Sequence, residues 1–334
     1  MIAPLINQAT RCTIIALLLL LGAGGCGTPS FLITPVSSSN RLEETVVQSG
    51  QKFFGNDKIA IIELEGMLAN ARAGGLLQAT ENPVSKFVQQ LNQAERDTRV
   101  KAVVLRVNSP GGTVTASDNL YEQVIRFKQR SHKPVVACAL EVSASGAYYV
   151  SCAADRIVAS PTSVVGSIGV ILNTFDASGA MAKIGLKNEA IKSGAYKDIG
   201  SPFRPIKDDE RQLMQALVDE YYARFSSIVT TNRHLSSPDV IHRATDGRVF
   251  SGMQALAMGL IDQTGTLEDA IDLARKLSNA PTASAIMYRR PYAYGGSIYA
   301  STEVPNPQAN VLHLDVPIVS RELLPTGFYY LWDR

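Results

Sequence analysis

Three short runs of β-branched and apolar residues constrain this chain most: Lys58–Met67 (KIAIIELEGM), Val100–Val107 (VKAVVLRV) and Pro134–Leu140 (PVVACAL). Each has the length of a strand and little polar alternation, the mark of strands buried on both faces. Between the first two, Asn82-Pro83 supplies an N-cap and a first-turn proline, and Val84, Phe87, Val88 and Leu91 follow at helical spacing. Between the second and third, Thr115–Lys128 places Leu120, Val124 and Phe127 on one helical face. Strands of this kind joined by amphipathic helices predict an α/β fold with a largely parallel sheet.

The alternation continues. Strands are predicted at Arg156–Ala159, Val164–Val170 and Asn188–Lys192, with a helix of small residues at Ser145–Ala153 and another near Ala177–Ile184. A helical C-terminal half follows, over Asp208–Thr231, Ser236–Ala244, Gly252–Met258 and Leu267–Leu277. The longest of these aligns Leu213, Leu217, Val218, Tyr221 and Phe225 along one face. Hydrophobic residues make up 46% of the 334, enough for a sizeable core. The net charge of +2 and the lack of a Lys/Arg block give no electrostatic reason to expect nucleic acid.

The N-terminus carries an address. Arg11 precedes the apolar stretch Ile14–Ala23, whose length as a helix is roughly 15 Å, about half of a bilayer's hydrocarbon core. That fits the core of an export signal better than a spanning helix. Gly22-Ala23-Gly24-Gly25 before Cys26 resembles a bacterial lipobox, although Ala23 stands where leucine is usual, and makes Cys26 the expected lipidation site. An uncleaved anchor and ordinary secretion are the alternatives. All three place the folded body outside the cytoplasm, on the membrane in the first two. The expected organisation is a signal over 1–25, a flexible tether over 26–57, a folded domain over 58–279 and an irregular tail over 280–334. The tail holds Phe328-Tyr329-Tyr330-Leu331-Trp332, expected to dock, with packing across a protomer boundary as one hypothesis. Cys138 and Cys152, the cysteines of the domain, read as packed thiols.

Chemistry gathers in two loops and a turn. Asn108-Ser109-Pro110-Gly111-Gly112 ends a buried strand with a turn whose glycines let backbone N–H groups approach a ligand. Such donors can hold an oxyanion. Ser143-Ala144-Ser145-Gly146 follows the next strand. Ser145 stands at the start of a helix among small neighbours, and Ser143 is the better candidate for the capping duty. A serine hydroxyl needs a base, and the four histidines, His132, His234, His242 and His313, all lie outside 135–197. A lysine is therefore the expected base. It must be neutral to accept a proton, a state that burial in an apolar pocket favours. Lys192 and Lys197 both flank the Ser193-Gly194 turn, and the residues alone do not rank them.

Together, Asn108–Gly112, Ser143–Tyr149, Gly166-Ser167-Ile168-Gly169-Val170 and Ser193–Asp198 resemble the signal peptide peptidase A family of serine peptidases, S49, in its short single-repeat form. The similarity runs from about Ile59 to Leu277 and includes Asp246–Gly252. It implies a ClpP/crotonase-like core of ββα units with a helical C-terminal half. It also implies Ser145 as nucleophile, Lys197 as general base, Gly112 as an oxyanion-hole donor and Ser167 as the residue orienting the lysine. Neither a metal nor a cofactor is implied. Partners would be extended peptides with small or apolar side chains, such as signal peptide remnants, and further copies of the chain, because serine and lysine of one site come from neighbouring protomers. Thr113 after Gly112 and Ala147 after Gly146 depart from the family pattern, where glycine is common. Two rival functions share the fold: an acyl-CoA-binding protein of the crotonase kind, and a non-catalytic scaffold lipoprotein.

Overall fold

The computed structural model describes residues 41–50, 56–70, 81–235, 237–290, 297–299 and 327–332. All belong to one unit, Asn40–Arg334; the other, Met1–Ser39, lies outside the described residues, and with it the expected signal and Cys26.

In chain order the strands are β1 (Glu43–Gln48), β2 (Lys58–Leu68), β3 (Val100–Thr113), β4 (Val135–Ala144), β5 (Arg156–Ala159), β6 (Val164–Gly166), β7 (Ile171–Leu172), β8 (Val249–Ser251), β9 (Gln263–Thr264), β10 (Ser284–Arg289) and β11 (Phe328–Leu331). The helices are α1 (Pro83–Arg96), α2 (Val114–Ser131), α3 (Gly146–Ser151), α4 (Ser178–Lys183), α5 (Asp208–Asn232), α6 (Pro238–Ala244), α7 (Gly252–Ala257) and α8 (Leu267–Leu277). The main path of the sheet runs β1-β10-β2-β3-β4-β5-β9 and is parallel except where β1 meets β10.

Period-two alternation splits the strands between two cores. Ala60, Ile62 and Leu64 of β2, with Val103 and Leu105 of β3, pack beneath Phe87 and Leu91 of α1 and Val124 and Phe127 of α2. Ile59, Ile61, Ala102 and Val104 face the other way and meet Leu267, Ile271 and Ala274 of α8. Helix ends follow local chemistry. The Asn82 side chain accepts from the Ser85 N–H at 3.1 Å ahead of Pro83, and Thr113 Oγ1 accepts from the Ala116 N–H at 3.3 Å. Thr113, a departure from the family pattern, is thus the N-cap of α2.

Several expectations change. Strand pairing reaches beyond 58–279: β1 lies in the stretch read as tether, and β10 and β11 in the stretch read as irregular tail. Backbone partners waiting on the sheet edge draw these segments in, which local composition does not reveal. Asn188–Lys192 is not a strand; it lies exposed with no neighbouring strand to complete a ladder among the described residues. Helix α5 buries Glu210, Phe225 and Val229, while Leu213 and Leu217 of its apolar stripe stand exposed. Cys138 and Cys152 are free, buried thiols, each pushed up to about 12 chiefly by burial.

Candidate active site

The sequence motifs converge at the carboxyl ends of parallel strands, where loops rather than ladders set the chemistry. Strand β3 reaches its end at Gly111-Gly112, β4 leads into Ser145, and β6 leads into Ser167. Register Ser109↔Ser143 between β3 and β4, and Ala144↔Gly166 between β4 and β6, brings the three exits side by side.

Ser145 occupies a sharp strand-to-helix turn at φ 53° and ψ −119°, a region that strains any residue with a Cβ. The surroundings hold it there. Its N–H donates to the Gly166 carbonyl at 2.6 Å, and its carbonyl accepts from the Tyr149 N–H at 2.9 Å. The residue is buried, and its Oγ has no hydrogen-bond partner among the described residues. Ser143 is not the cap expected from sequence: it lies on β4, and its hydroxyl sits 3.2 Å from Ser151 Oγ. Ser145 holds the N-cap position without using its side chain, so the hydroxyl is left uncommitted.

The glycines beside it are required by space. A Cβ on Gly112 would fall 1.9 Å from the Leu68 carbonyl oxygen, and one on Gly146 2.2 Å from Ser117 Oγ. Gly111, at φ +103°, would place a Cβ 2.7 Å from the Gly146 nitrogen. Ser109 fastens this turn, accepting from the Gly111 N–H at 3.1 Å and donating to the Gly66 carbonyl at 2.6 Å. Ser167 is also buried in the left-handed region, at φ 51°, and its N–H donates to the Arg248 carbonyl at 2.8 Å.

Lys197 is not brought to this cluster. It lies exposed in a turn, its side chain without a hydrogen bond or ion pair among the described residues, and no described lysine of the same chain reaches Ser145 Oγ. Lys192 differs: it is ion-paired to Asp198 and donates to the Ala195 carbonyl at 3.3 Å. The turn is braced from below by a network that sequence reasoning missed. Arg204 clamps Asp198 through Nε at 2.8 Å and Nη2 at 2.7 Å, and grips Glu210 through Nη1 at 2.8 Å and Nη2 at 2.6 Å. Hydrogen bonds from Arg204 and then Lys192 hold the Asp198 carboxyl far below the usual carboxylate range. Those from Arg204 and the Lys207 N–H bring Glu210 down to about 2. Around this turn Phe175, Ile184, Leu186, Ile191, Tyr196 and Phe203 are exposed.

The aromatic cluster near the C-terminus, expected to dock, forms strand β11. Strand β11 pairs antiparallel with β3 of the same chain, Tyr330 opposite Gly112 and Leu331 opposite Gly111, and with β7 on its other side. The docking expected of this cluster therefore occurs within one chain.

Comparison with known proteins accords with this geometry. Residues 127–281 match the model of peptidase family S49, and residues 60–165 match that of the Clp proteases. The chain is 37% identical to a candidate protease of Methanocaldococcus jannaschii, over 77% of this chain and 82% of that one. It is 32% identical to a candidate signal peptide peptidase SppA of Enterococcus faecium, over 75% and 72%. A chloroplast serine protease SPPA of Arabidopsis thaliana shares 32% identity over 68% of this chain and 33% of the longer relative. The chain is a peptidase with a ClpP-like α/β fold. Within that class it belongs to family S49 and is of the SppA type.

Proposed function

We propose that the chain is a serine endopeptidase that works through a Ser145–Lys197 dyad assembled between protomers. The observation that carries this reading is the contrast within one chain. A buried, uncommitted serine hydroxyl sits at a strained turn beside glycine backbone, while a rigidly braced lysine turn stands exposed among apolar residues. Exposed apolar side chains on that scale favour burial against another copy. Such burial would carry Lys197 out of water and toward a neighbour's Ser145.

In the assembled site, neutral Lys197 takes the Ser145 proton as Oγ attacks the scissile carbonyl. The N–H groups of Gly112 and Gly146 hold the oxyanion, and Ser167, one strand over, orients the lysine. The leaving amine takes the proton, and a water activated by Lys197 releases the acyl-enzyme. The substrates are extended peptides, remnants of signal peptides among them, met outside the cytoplasm. Residues 1–25 act as the export signal, and Cys26 carries the lipid that tethers the enzyme to the membrane. Among the described residues no helix is long and apolar enough to cross one.

The test uses purified oligomer carrying Ser145→Ala or Lys197→Ala. Both variants should keep their assembly and lose cleavage of an apolar peptide. Undiminished turnover by either refutes the dyad.

A further inference from the structure

Where the residues ahead of β1 meet helix α1 there is a cavity of about 470 Å³, lined by Arg41, Leu42, Gln89, Asn92, Gln93 and Arg96. Helical spacing explains most of its wall. Gln89, Asn92, Gln93 and Arg96 stand at i, i+3, i+4 and i+7 of α1 and share one face, while Phe87, Gln90, Leu91 and Ala94 are buried on another. Leu42 packs into the core, which anchors the backbone of Arg41 beside it. The cavity thus presents two guanidiniums and three amides, and none of its lining residues is acidic.

These groups are left over from the charge pairing around them. The side chains of Arg41, Asn92, Gln93 and Arg96 have no hydrogen bond or ion pair among the described residues. Nearby arginines differ: Arg99 is paired with Asp97, and Arg290 with Glu81. The neighbouring carboxylates are engaged too, Glu44 and Asp97 by Lys58, and Glu95 by Arg130 at 4.0 Å. Gln89 is also committed, donating to Ser85 Oγ at 3.1 Å and accepting from Arg290 Nη2 at 3.0 Å. Two guanidiniums facing one cavity repel each other, and an anion there relieves both. Their forked donors match the oxygens of a phosphate group. The free amides of Asn92 and Gln93 can both donate to and accept from hydroxyls. The volume falls in the range of small-molecule sites, which suits a phosphate carrying a polar alcohol better than a bare ion.

We propose that this cavity binds a phosphodiester anion bearing a polyol, the chemistry of an anionic glycerolipid headgroup, with Arg41 and Arg96 on the phosphate and Asn92 and Gln93 on the hydroxyls. The site stands apart from the Ser145–Lys197 reading; only its membrane source draws on the lipid proposed at Cys26. Fifteen residues separate Cys26 from Arg41, a reach of at most about 50 Å fully extended, so a tethered body keeps the cavity close to the headgroups. A tether holds the body at one point. A headgroup in this cavity holds it at a second, and so fixes which face meets the membrane.

Titration calorimetry on the purified full chain in neutral detergent tests this with four probes: phosphatidylglycerol and phosphatidylcholine in mixed micelles, soluble glycerophosphoglycerol, and inorganic phosphate. Wild type should bind phosphatidylglycerol at least about tenfold more tightly than phosphatidylcholine, and glycerophosphoglycerol more tightly than inorganic phosphate. Arg41→Gln and Arg96→Gln should each weaken binding of phosphatidylglycerol and glycerophosphoglycerol about tenfold, since each loses one charge-assisted contact. Arg126→Gln removes an exposed charge of α2 that does not line the cavity, and should bind as wild type does. All three positions are exposed, and an unchanged melting temperature without added probe checks that the variants fold. Soluble probes that bind through both arginines, with no preference between the two lipids, uphold the phosphate site and overturn its membrane source. Absence of arginine-dependent binding by every probe, or an equal loss in Arg126→Gln, overturns the proposal. Peptide cleavage by Arg41→Gln and Arg96→Gln should match wild type in detergent, so the dyad is judged separately.

Discussion

Replacing Ser145 by glycine should make the protein more stable and inactive, a pairing that follows from two separate defects at one residue. The first is backbone strain at φ 53° and ψ −119°, worth about 1–3 kcal/mol for a residue with a Cβ. The second is a buried hydroxyl without a partner, worth about 1–3 kcal/mol of lost hydration. Glycine removes both, at a cost of about 0.5–1 kcal/mol in chain entropy and about 0.8 kcal/mol in lost methylene burial. Alanine removes only the second. Stability should therefore be highest for Ser145→Gly, intermediate for Ser145→Ala and lowest for wild type, with the glycine form ahead of wild type by about 2 kcal/mol. Urea unfolding measures this, run at one protomer concentration because assembly contributes to apparent stability. A glycine variant less stable than wild type would show that the turn is not strained and that Ser145 is not held there against a cost.

Three further outcomes are expected. Gly111→Ala puts a Cβ at φ +103° and 2.1 Å from the Tyr330 carbonyl oxygen, so it should displace β11 and lower kcat/KM on the order of 100-fold; proteolytic sensitivity of residues 327–332 and peptide turnover check both halves. Arg204→Ala leaves Asp198 with Lys192 alone and Glu210 with the Lys207 N–H alone, which loosens the Lys197 turn, and should lower kcat while a Ser145-directed covalent probe still reacts with any site that assembles. For Asp97, burial alone would raise the carboxyl, but hydrogen bonds from Lys58 and Arg99 outweigh it and bring it down to about 2. Its contribution, about 1 kcal/mol after solvent screening, is present above about pH 4 and lost as pH falls toward about 2. Asp97→Asn should flatten the acid limb of a stability-versus-pH curve over that window.

What could be read from the chain alone tracks how local the cause is. The runs at 58–67, 100–107 and 134–140 declared the central strands because both faces are buried, and the helix read at Leu267–Leu277 has those same bounds in the structure. Glycine at 111, 112 and 146 was readable as close backbone approach. Nonlocal pairing was not. Glu43–Gln48 looks like linker because its partner, β10, lies some 240 residues away in sequence, and Phe328–Leu331 gains strand form only from β3 and β7. The apolar stripe of α5 was seen, but which half of it meets the body depends on tertiary contacts. The bracing of the lysine turn by Arg204 was invisible for the same reason, since nothing in the spacing of Asp198, Arg204 and Glu210 announces a fork closed on two carboxylates.

The central claim is that one active site draws its serine and its lysine from different copies. Mixing unfolded Ser145→Ala and Lys197→Ala chains, refolding them together and assaying peptide cleavage tests it directly. Each variant alone should be inactive. Random co-assembly at equal ratio should restore about a quarter of the wild-type sites, those pairing an intact serine with a neighbour's intact lysine across a head-to-tail interface. Verified mixed oligomers with no recovered activity would contradict a shared site.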